Sequence, residues 1–313
     1  MGLVPETKQK NMDTATGEYP LVSVVIPVLD AAEDLERCLD ALERQTYPDD
    51  RYEVVVVDNG SRVPPRKLVS RYRNIRMLSE RKRSTHAARN KGIAEARGTV
   101  LAFTDADCIS VPDWIREGVR VMTGQKADFV GGHVQVVPED PDRPNCVEIL
   151  EMRTAFDQRK YIRQMRFAAT ANVFVRKEVI DHVGLLNGDL KSGADLEFGN
   201  RVSAAGYDMR FAPKAEVKHP ARRSLRKLLA KHRRVIGGLI DIKKRNGADI
   251  RQMLSDIKGD WPLWRDLRES WESGGKYPLT VRIQVVFTLV MVKAVRVLEA
   301  LRLIMGGRST WGG

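Results

Sequence analysis

Short apolar segments rich in β-branched residues alternate with helical patterns through the first hundred residues. Such segments predict buried strands, here at 21–28, 52–57, 74–79 and 99–104. Between them, one helical pattern begins at Ala32 and another covers 84–96. This alternation is typical of an open, mostly parallel α/β sheet flanked by helices.

Farther along, the alternation continues to about residue 217. Further strands are predicted at 128–136, 171–175 and 209–217. Helices are predicted at 148–166 and 193–205. After Pro220 the chain changes to basic helical patterns without a clear strand. We therefore predict a lead-in over 1–20 without order, a catalytic α/β domain over 21–220, and a basic helical extension over 221–313.

Aspartates follow three of the predicted strands. Asp30, Asp58 and Asp105 each stand at or just past a strand end. In open α/β sheets, ligands bind beyond the carboxyl ends of the strands. Asp105 and Asp107 form a D-x-D pair, and two carboxylates so spaced can hold a hard divalent cation together with phosphate oxygens. The alternative is a solvated turn that follows a strand.

An ordered series of short motifs runs through this domain: IPVLD, VVVDNGS, AARNKGIAEARG, LAFTDADC, PDW and GADLEF. The series resembles the family-2 glycosyltransferases, and it covers residues 22–219. The resemblance implies a GT-A fold, a nucleotide diphosphate sugar as donor, and transfer with inversion of the anomeric centre.

The same resemblance implies the residues that bind the donor. Pro27 and Asp30 would shape the nucleotide pocket. Asp58 would accept a hydrogen bond from the base, normally the imide N–H of uracil, which favours a UDP-sugar. Asp105 would bind the ribose and a water molecule around the metal, or the metal itself. Arg89 would face the base or the diphosphate as a cation, although a solvated charge on a helix is the alternative interpretation.

Four further roles concern the metal, the acceptor and the reaction. Asp107 would coordinate Mn²⁺ or Mg²⁺ directly, with His219 as a second ligand. Asp195 would act as general base, removing the proton from the acceptor hydroxyl; the alternative is a carboxylate that stabilises a helix N-terminus. Asn172 would border the acceptor.

Two positions depart from the family pattern. Ala194 replaces the acidic residue that usually precedes the base, which bears on how Asp195 is oriented. Leu29 and Asp30 stand where an aromatic residue and Asn are frequent, which bears on the contact with the donor base.

Positive charge is concentrated in the C-terminal third. From Arg201 onward the sequence has 24 Lys and Arg residues and 10 Asp and Glu residues, although the whole chain carries only +12. This excess favours an anionic partner, and we predict an anionic membrane surface. Nucleic acid is not predicted, because no recognition motif or aromatic stacking set accompanies the charge. The Q-x-x-R-W motif of processive synthases is missing, so we expect transfer of one or few sugars.

The segment 283–304 carries an apolar stripe at alternating four- and three-residue steps: Ile283, Phe287, Val290, Ala294, Val297, Leu301 and Ile304. Its uncharged part is too short to span a bilayer. Three interpretations stay open: packing on the catalytic domain, pairing with a second copy, or insertion into a membrane interface.

Three cysteines without a C-x-x-C pair, and an N-terminus without an apolar signal core, fit a reducing cytoplasm. We therefore predict a cytoplasmic glycosyltransferase, bound peripherally to the inner face of the membrane. It would act on a lipid-linked or saccharide acceptor in the synthesis of cell-surface polysaccharide or glycolipid. A nucleotidyltransferase and a non-catalytic module that binds sugar nucleotides or membranes are the alternatives.

Overall fold

The structure is a computed structural model, which describes residues 19–249, 251–252, 266–268, 271 and 277–309. The predicted lead-in over 1–20 lies outside the described residues, apart from its last two. The strands are β1 Val22–Val28, β2 Tyr52–Asp58, β3 Ile75–Ser79, β4 Val100–Thr104, β5 Ile109–Ser110, β6 Phe129–Val137, β7 Asn172–Arg176 and β8 Met209–Pro220. The helices are α1 Ala32–Glu43, α2 Arg66–Val69, α3 Thr85–Glu95, α4 Trp114–Gly124, α5 Cys146–Thr154, α6 Gln158–Lys160, α7 Lys177–Val183, α8 Ala194–Ala204, α9 Leu225–Arg245 and α10 Leu279–Ile304.

The eight strands form one sheet in the order β3-β2-β1-β4-β7-β6-β8-β5. The predicted α/β fold is confirmed, and the first four strands are parallel. The other half differs, because β7 runs antiparallel to both β4 and β6, and β5 runs antiparallel to β8. The sheet is therefore mixed, with its parallel half at the N-terminal end of the chain.

The single helix predicted over 148–166 is wrong. Helix α5 ends at Thr154, and Phe156 adopts a left-handed backbone with φ of 56°. Asp157 then caps the short helix α6 by accepting a hydrogen bond from the backbone N–H of Lys160. A left-handed residue cannot continue a right-handed helix, so the chain turns at Phe156.

The chain divides into two compact units. The first comprises Met1–Val134, Asp157–Leu186 and Phe198–Lys218, and it holds most of the sheet. The second comprises Gln135–Phe156, Asn187–Glu197 and His219–Gly313. The second unit thus joins two earlier segments to the predicted C-terminal extension.

Each unit has an apolar core of its own. In the first, Phe103, Phe129 and Val173 of the sheet pack with Phe198 and Val202 of α8. In the second, α10 packs against α5 and α9 through a cluster of buried side chains: Val147, Ile149, Leu150, Leu228, Val285, Leu289 and Val292. The helix therefore packs on the protein, but not through most of the predicted stripe. Four residues of that stripe are exposed: Ile283, Phe287, Val290 and Leu301. The contact is made by another row on the same helix, which includes Val285, Leu289 and Val292. Among the described helices, none is both long and apolar enough to cross a membrane.

Candidate active site

Strand β1 lies where the order of the strands changes direction, with β2 on one side and β4 on the other. The β1–β4 pairing ends at Val25 and Phe103, whereas the β1–β2 pairing continues to Val28 and Asp58. Pro27 therefore lies beyond the last residue of the β4 ladder. A residue without an N–H is tolerated there, since no ladder bond to β4 is lost. In open α/β sheets, ligands bind beyond the carboxyl ends of strands at such a point in the strand order.

The loops that follow β1 and β2 are joined by hydrogen bonds around Asp30. Its backbone N–H donates to Ser61 Oγ over 2.9 Å, and its carboxylate accepts the backbone N–H of Arg62 over 2.8 Å. Asp30 has a left-handed backbone with φ of 51°, a conformation that Asp and Asn tolerate better than most residues. Asp30 therefore joins the loops that follow β1 and β2 at this edge.

Asp58 ends β2 and is only 4% exposed. One of its carboxylate oxygens accepts the backbone N–H of Ser61 over 3.1 Å. Gly60, between them, has a φ of 90°, which allows this tight turn. The turn orients the Asp58 carboxylate at the carboxyl end of the sheet.

Arg89 and Asp105 form an ion pair. Arg89 lies on α3, is 2% exposed and donates through Nη2 to Asp105 Oδ1. The interpretation of Arg89 as a solvated helix charge is therefore wrong. Its Nε is buried and has no hydrogen-bond partner among the residues that the structure describes. A buried guanidinium N–H without a partner is costly.

Asp105, Asp107 and Cys108 form a cluster after β4, in which one ligand atom of each lies within 4.8 Å of the others. The turn is closed by the backbone N–H of Cys108, which donates to the Asp105 carbonyl over 3.1 Å. Burial, together with the charges of Asp105 and Asp107, raises the pKa of the Cys108 thiol. The two carboxylates therefore supply the hard oxygen ligands that Mg²⁺ and Mn²⁺ prefer, and this donor set fits such an ion.

Asn172 does not have the place predicted for it. It is fully buried, its Oδ1 accepts from Trp114 Nε1, and its Nδ2 donates to the backbone carbonyls of His133 and Ala215. These bonds, of 2.8–2.9 Å, cross-link α4, β6 and β8. The predicted contact of Asn172 with the acceptor is wrong, because no atom of its amide is exposed to make it.

In the second unit, Asp195 lies half-buried in the first turn of α8, and the backbone N–H of Leu196 donates to its carboxylate. The preceding turn is held by α9. Arg234 donates to Ser192 Oγ over 3.2 Å, and a Cβ at Gly238 would lie 2.3 Å from the Ser192 carbonyl oxygen. Helix α9 thus fixes the backbone from which Asp195 projects.

His219, also in the second unit, is buried against the Phe156 ring at a centroid distance of 4.8 Å. Its Nδ1 lies 2.8 Å from the Pro220 carbonyl oxygen. A carbonyl only accepts, so Nδ1 must carry the proton in this bond. In this tautomer the lone pair of a neutral ring is on Nε2, as metal binding through Nε2 requires.

A buried carboxylate that the sequence did not single out organises this part of the second unit. Glu151 on α5 accepts from Lys231 Nζ over 2.7 Å, from the Arg222 backbone N–H over 2.7 Å and from the Arg222 guanidinium over 3.1 Å. Lys231 also lies over the Phe156 ring, 5.5 Å from its centroid. The only sequence signal was an acid set within apolar neighbours, Ile149, Leu150 and Met152.

We expect Glu151→Gln to lower the free energy of unfolding by about 3–5 kcal/mol at pH 7, because two largely buried cations lose their anion. Burial alone would raise the pKa of Glu151, but Lys231 and Arg222 outweigh it and hold the pKa below its usual value. The contribution is therefore complete above the unfolded-state pKa, about 4.3, and is lost as the pH falls through the lower folded-state pKa. Urea denaturation at several pH values measures this, with the exposed Glu178→Gln as control. A uniform loss at all pH values would contradict the charge-based explanation.

Comparisons with known proteins identify the family and the fold. A family model described as Glycosyl transferase family 2 matches residues 23–184. Glycosyltransferase AglE of Haloferax volcanii is 36% identical over 245 residues, which make up 77% of this chain and 80% of AglE.

Two solved structures share the fold. The mannosyltransferase PcManGT from Pyrobaculum calidifontis, in complex with GDP-Man and Mn²⁺, matches with a TM-score of 0.64 at 18% identity, over 92% of this chain and 88% of that chain. S. aureus TarS 1–349 matches with a TM-score of 0.52 at 18% identity, over 91% of this chain and 83% of that chain. At this identity both structures establish the GT-A fold alone.

Proposed function

Because the chain belongs to glycosyl transferase family 2 and is a glycosyltransferase, we propose that it is metal-dependent and inverts the anomeric centre. It would move a sugar from a nucleotide diphosphate sugar to a hydroxyl of its acceptor. One observation carries this proposal: the buried Arg89 pairs with Asp105 beside Asp107, at the carboxyl end of β4. This arrangement supports the proposal, because binding of a metal-bound diphosphate needs a cation and carboxylates close together.

We propose UDP as the nucleotide of the donor. One oxygen of the Asp58 carboxylate is already engaged by the backbone N–H of Ser61. The other carboxylate oxygen can accept a hydrogen bond from a base that has a single N–H donor. Uracil is such a base, because the imide N–H is its only donor in a nucleotide. Guanine presents two adjacent N–H groups and would pair better with a carboxylate whose two oxygens are both available. Pro27 and Asp30 would border the same pocket, and Asp105 would bind the ribose.

The metal is proposed to be Mn²⁺ or Mg²⁺, with Asp107 as a ligand. When bound, it would stabilise the negative charge of the departing diphosphate. His219 is proposed as a further ligand, in the tautomer described above.

Asp195 is proposed as the general base. Its carboxylate would accept the proton of the acceptor hydroxyl while that oxygen attacks the anomeric carbon and the bond to the diphosphate breaks. This single displacement inverts the configuration. A hydroxyl is a poor nucleophile at neutral pH, so removing its proton in the transition state accelerates the step.

The acceptor is proposed to be lipid-linked or a saccharide, and the reaction non-processive. We place the enzyme in the cytoplasm, on the inner face of an anionic membrane. The support is the positive charge of α9, which has eight Lys and Arg residues and one acid, Asp241. Its exposed cations include Arg226, Lys227, Arg233, Lys244 and Arg245.

A thermal-shift panel of nucleotide sugars tests the donor and the metal. With Mn²⁺, a UDP-sugar at about a hundred times its Kd should raise Tm by about 4 °C. The same concentration of GDP-Man should raise it less, and chelation of the metal should remove the shift. A GDP-Man response larger than that of every UDP-sugar would overturn the base assignment. No response to any donor would overturn the proposal as a whole.

Product analysis separates the reaction from its alternatives. A glycosyltransferase releases UDP from the donor, and faster when the acceptor is present. A nucleotidyltransferase would instead form a sugar nucleotide from a nucleoside triphosphate and a sugar phosphate, with release of pyrophosphate. A binding module would release neither product.

A further inference from the structure

Helix α10 is apolar on two faces, and the residues that the structure describes cover only one of them. Val285, Leu289 and Val292 pack into the core of the second unit, and Ala300 and Leu303 pack against α9. A second row, which we call the exposed stripe, follows the opposite side of the helix: Leu279, Ile283, Phe287, Val290, Leu298, Leu301 and Met305. Phe287 is 61% exposed, Leu298 66% and Met305 81%.

A row of this kind is unusual on a helix in water. Single exposed apolar residues are ordinary, but the exposed stripe follows the whole of α10, which at 26 residues is about 39 Å long. Contiguous apolar surface of this extent marks an interaction site. No residue of the stripe has a role in the proposed reaction, so that reaction does not account for it.

The surrounding charges indicate what covers the stripe. Between 277 and 309 there are five basic residues, Arg282, Lys293, Arg296, Arg302 and Arg308, and one acid, Glu299. Glu299 is buried and accepts hydrogen bonds from Arg302. A helix that pairs with a second copy usually has oppositely charged residues beside its apolar seam. Lys293 is largely buried and pairs with Asp266, and Arg302 pairs with Glu299. The cations still outnumber these two acids, so two copies would bring like net charges together, whereas an anionic lipid surface attracts them.

Trp271, which contacts Arg282 of α10, has the same preference. Trp271 is 41% exposed, and the Arg282 guanidinium lies over its ring, 4.0 Å from the centroid. The side chains of tryptophan and arginine each have an apolar body and a polar tip, and such side chains are favoured at the level of the lipid headgroups. The basic residues within α10 are incompatible with crossing the bilayer, but they are compatible with a helix that lies in the plane of its surface.

We propose that the exposed stripe of α10 inserts into the headgroup region of an anionic lipid bilayer, and that the cations of α9 strengthen the contact. The inference rests on the membrane association proposed above, and it assigns that association to a surface. Insertion of such helices reaches about 5–10 Å, to the boundary of the acyl chains.

Vesicle flotation with the full chain tests the assignment. The wild type should bind vesicles of phosphatidylcholine with phosphatidylglycerol, bind pure phosphatidylcholine much less, and bind less at high salt. Phe287→Glu should weaken binding to the anionic vesicles about tenfold or more, because a large apolar side chain is lost from the inserted face. Gln284→Glu is the matched control. It adds the same charge at an exposed position of the same helix without removing apolar surface, and it should weaken binding much less.

Three measurements separate the possible failures. Wild type that does not bind anionic vesicles would overturn the membrane association, and a Phe287→Glu variant that binds like Gln284→Glu would overturn the assignment to the stripe. A dimer in lipid-free buffer that Phe287→Glu dissociates, measured by light scattering, would show that a second copy covers the stripe and would overturn the proposal. The donor-induced thermal shift of Phe287→Glu should equal that of the wild type, so failure of the donor proposal is detected independently.

Discussion

Asp195→Asn is expected to lower the rate of sugar transfer by about a hundredfold to ten-thousandfold, the contribution usual for a general base. The donor-induced thermal shift should stay at the wild-type value. Asparagine has nearly the shape of aspartate, but its amide does not accept a proton at neutral pH. The loss should therefore appear in kcat more than in KM for the donor.

The local structure supports a variant that folds normally. Asp195 is only half-buried, and its carboxylate accepts the backbone N–H of Leu196, a hydrogen bond that an amide oxygen can also accept. The turn before it depends on Gly193, with φ of 80°, and on the packing of Gly238 against Ser192. None of these features needs the charge of Asp195.

The matched control is Glu197→Gln, which removes a carboxylate two residues away in the same helical turn. It should retain most of the activity, with the same melting temperature as Asp195→Asn within about 2 °C. If Glu197→Gln lost activity and Asp195→Asn kept it, the base would be Glu197. If Asp195→Asn transferred sugar at the wild-type rate, the proposed single displacement assisted by Asp195 would be wrong.

The parallel half of the sheet could be predicted from the sequence because β1, β2 and β4 are largely apolar runs closed by turn residues. The signal for β3 was weaker, since Arg76 interrupts its apolar residues. Strands β1 to β4 lie within one or two residues of the predicted bounds. The break at Phe156 could not be predicted, because no glycine or proline marks it. There, the left-handed residue is stabilised by contacts distant in sequence, with the His219 ring and with Lys231.

In the candidate site, the sequence predicted that Asp105 lies at the end of a strand, but it did not predict which residue pairs with Asp105. Nothing in the sequence gives the rotation of α3, so the burial of Arg89 against Asp105 could not be derived from it. The predicted contact of Asn172 with the acceptor was wrong for the same reason. Its hydrogen-bond partners lie 39 to 58 residues away, and only the assembled sheet shows that they use every atom of the amide.

Helix α10 illustrates a different limit. Its periodicity correctly predicted a long helix with an apolar stripe, but the helix has two such stripes. Periodicity cannot decide which of two apolar faces meets the protein. That decision depends on the shapes of α5 and α9, which accept Val285 and Leu289 and leave Ile283 and Phe287 outside.

Asp107→Asn is expected to weaken Mn²⁺ binding by about a hundredfold or more, measured by calorimetry in the presence of UDP. Loss of residues that merely support a metal ligand costs about ten- to a hundredfold in affinity, and Asp107 is proposed to be a ligand itself. Asp105 is less able to replace it, because the Arg89 guanidinium already neutralises part of its charge. Transfer activity should fall in parallel, but the affinity measurement does not depend on turnover.

Cys108→Ser is the matched control, because Cys108 belongs to the same cluster. A thiol is a soft ligand that Mn²⁺ and Mg²⁺ disfavour relative to carboxylate oxygen, so this variant should bind Mn²⁺ within about threefold of the wild type. If Cys108→Ser weakened Mn²⁺ binding as strongly as Asp107→Asn, the thiol would be a ligand and the site would favour a softer metal. If neither variant changed the Mn²⁺ affinity, the metal would bind elsewhere, and the D-x-D pair would act only through its hydrogen bonds to the donor.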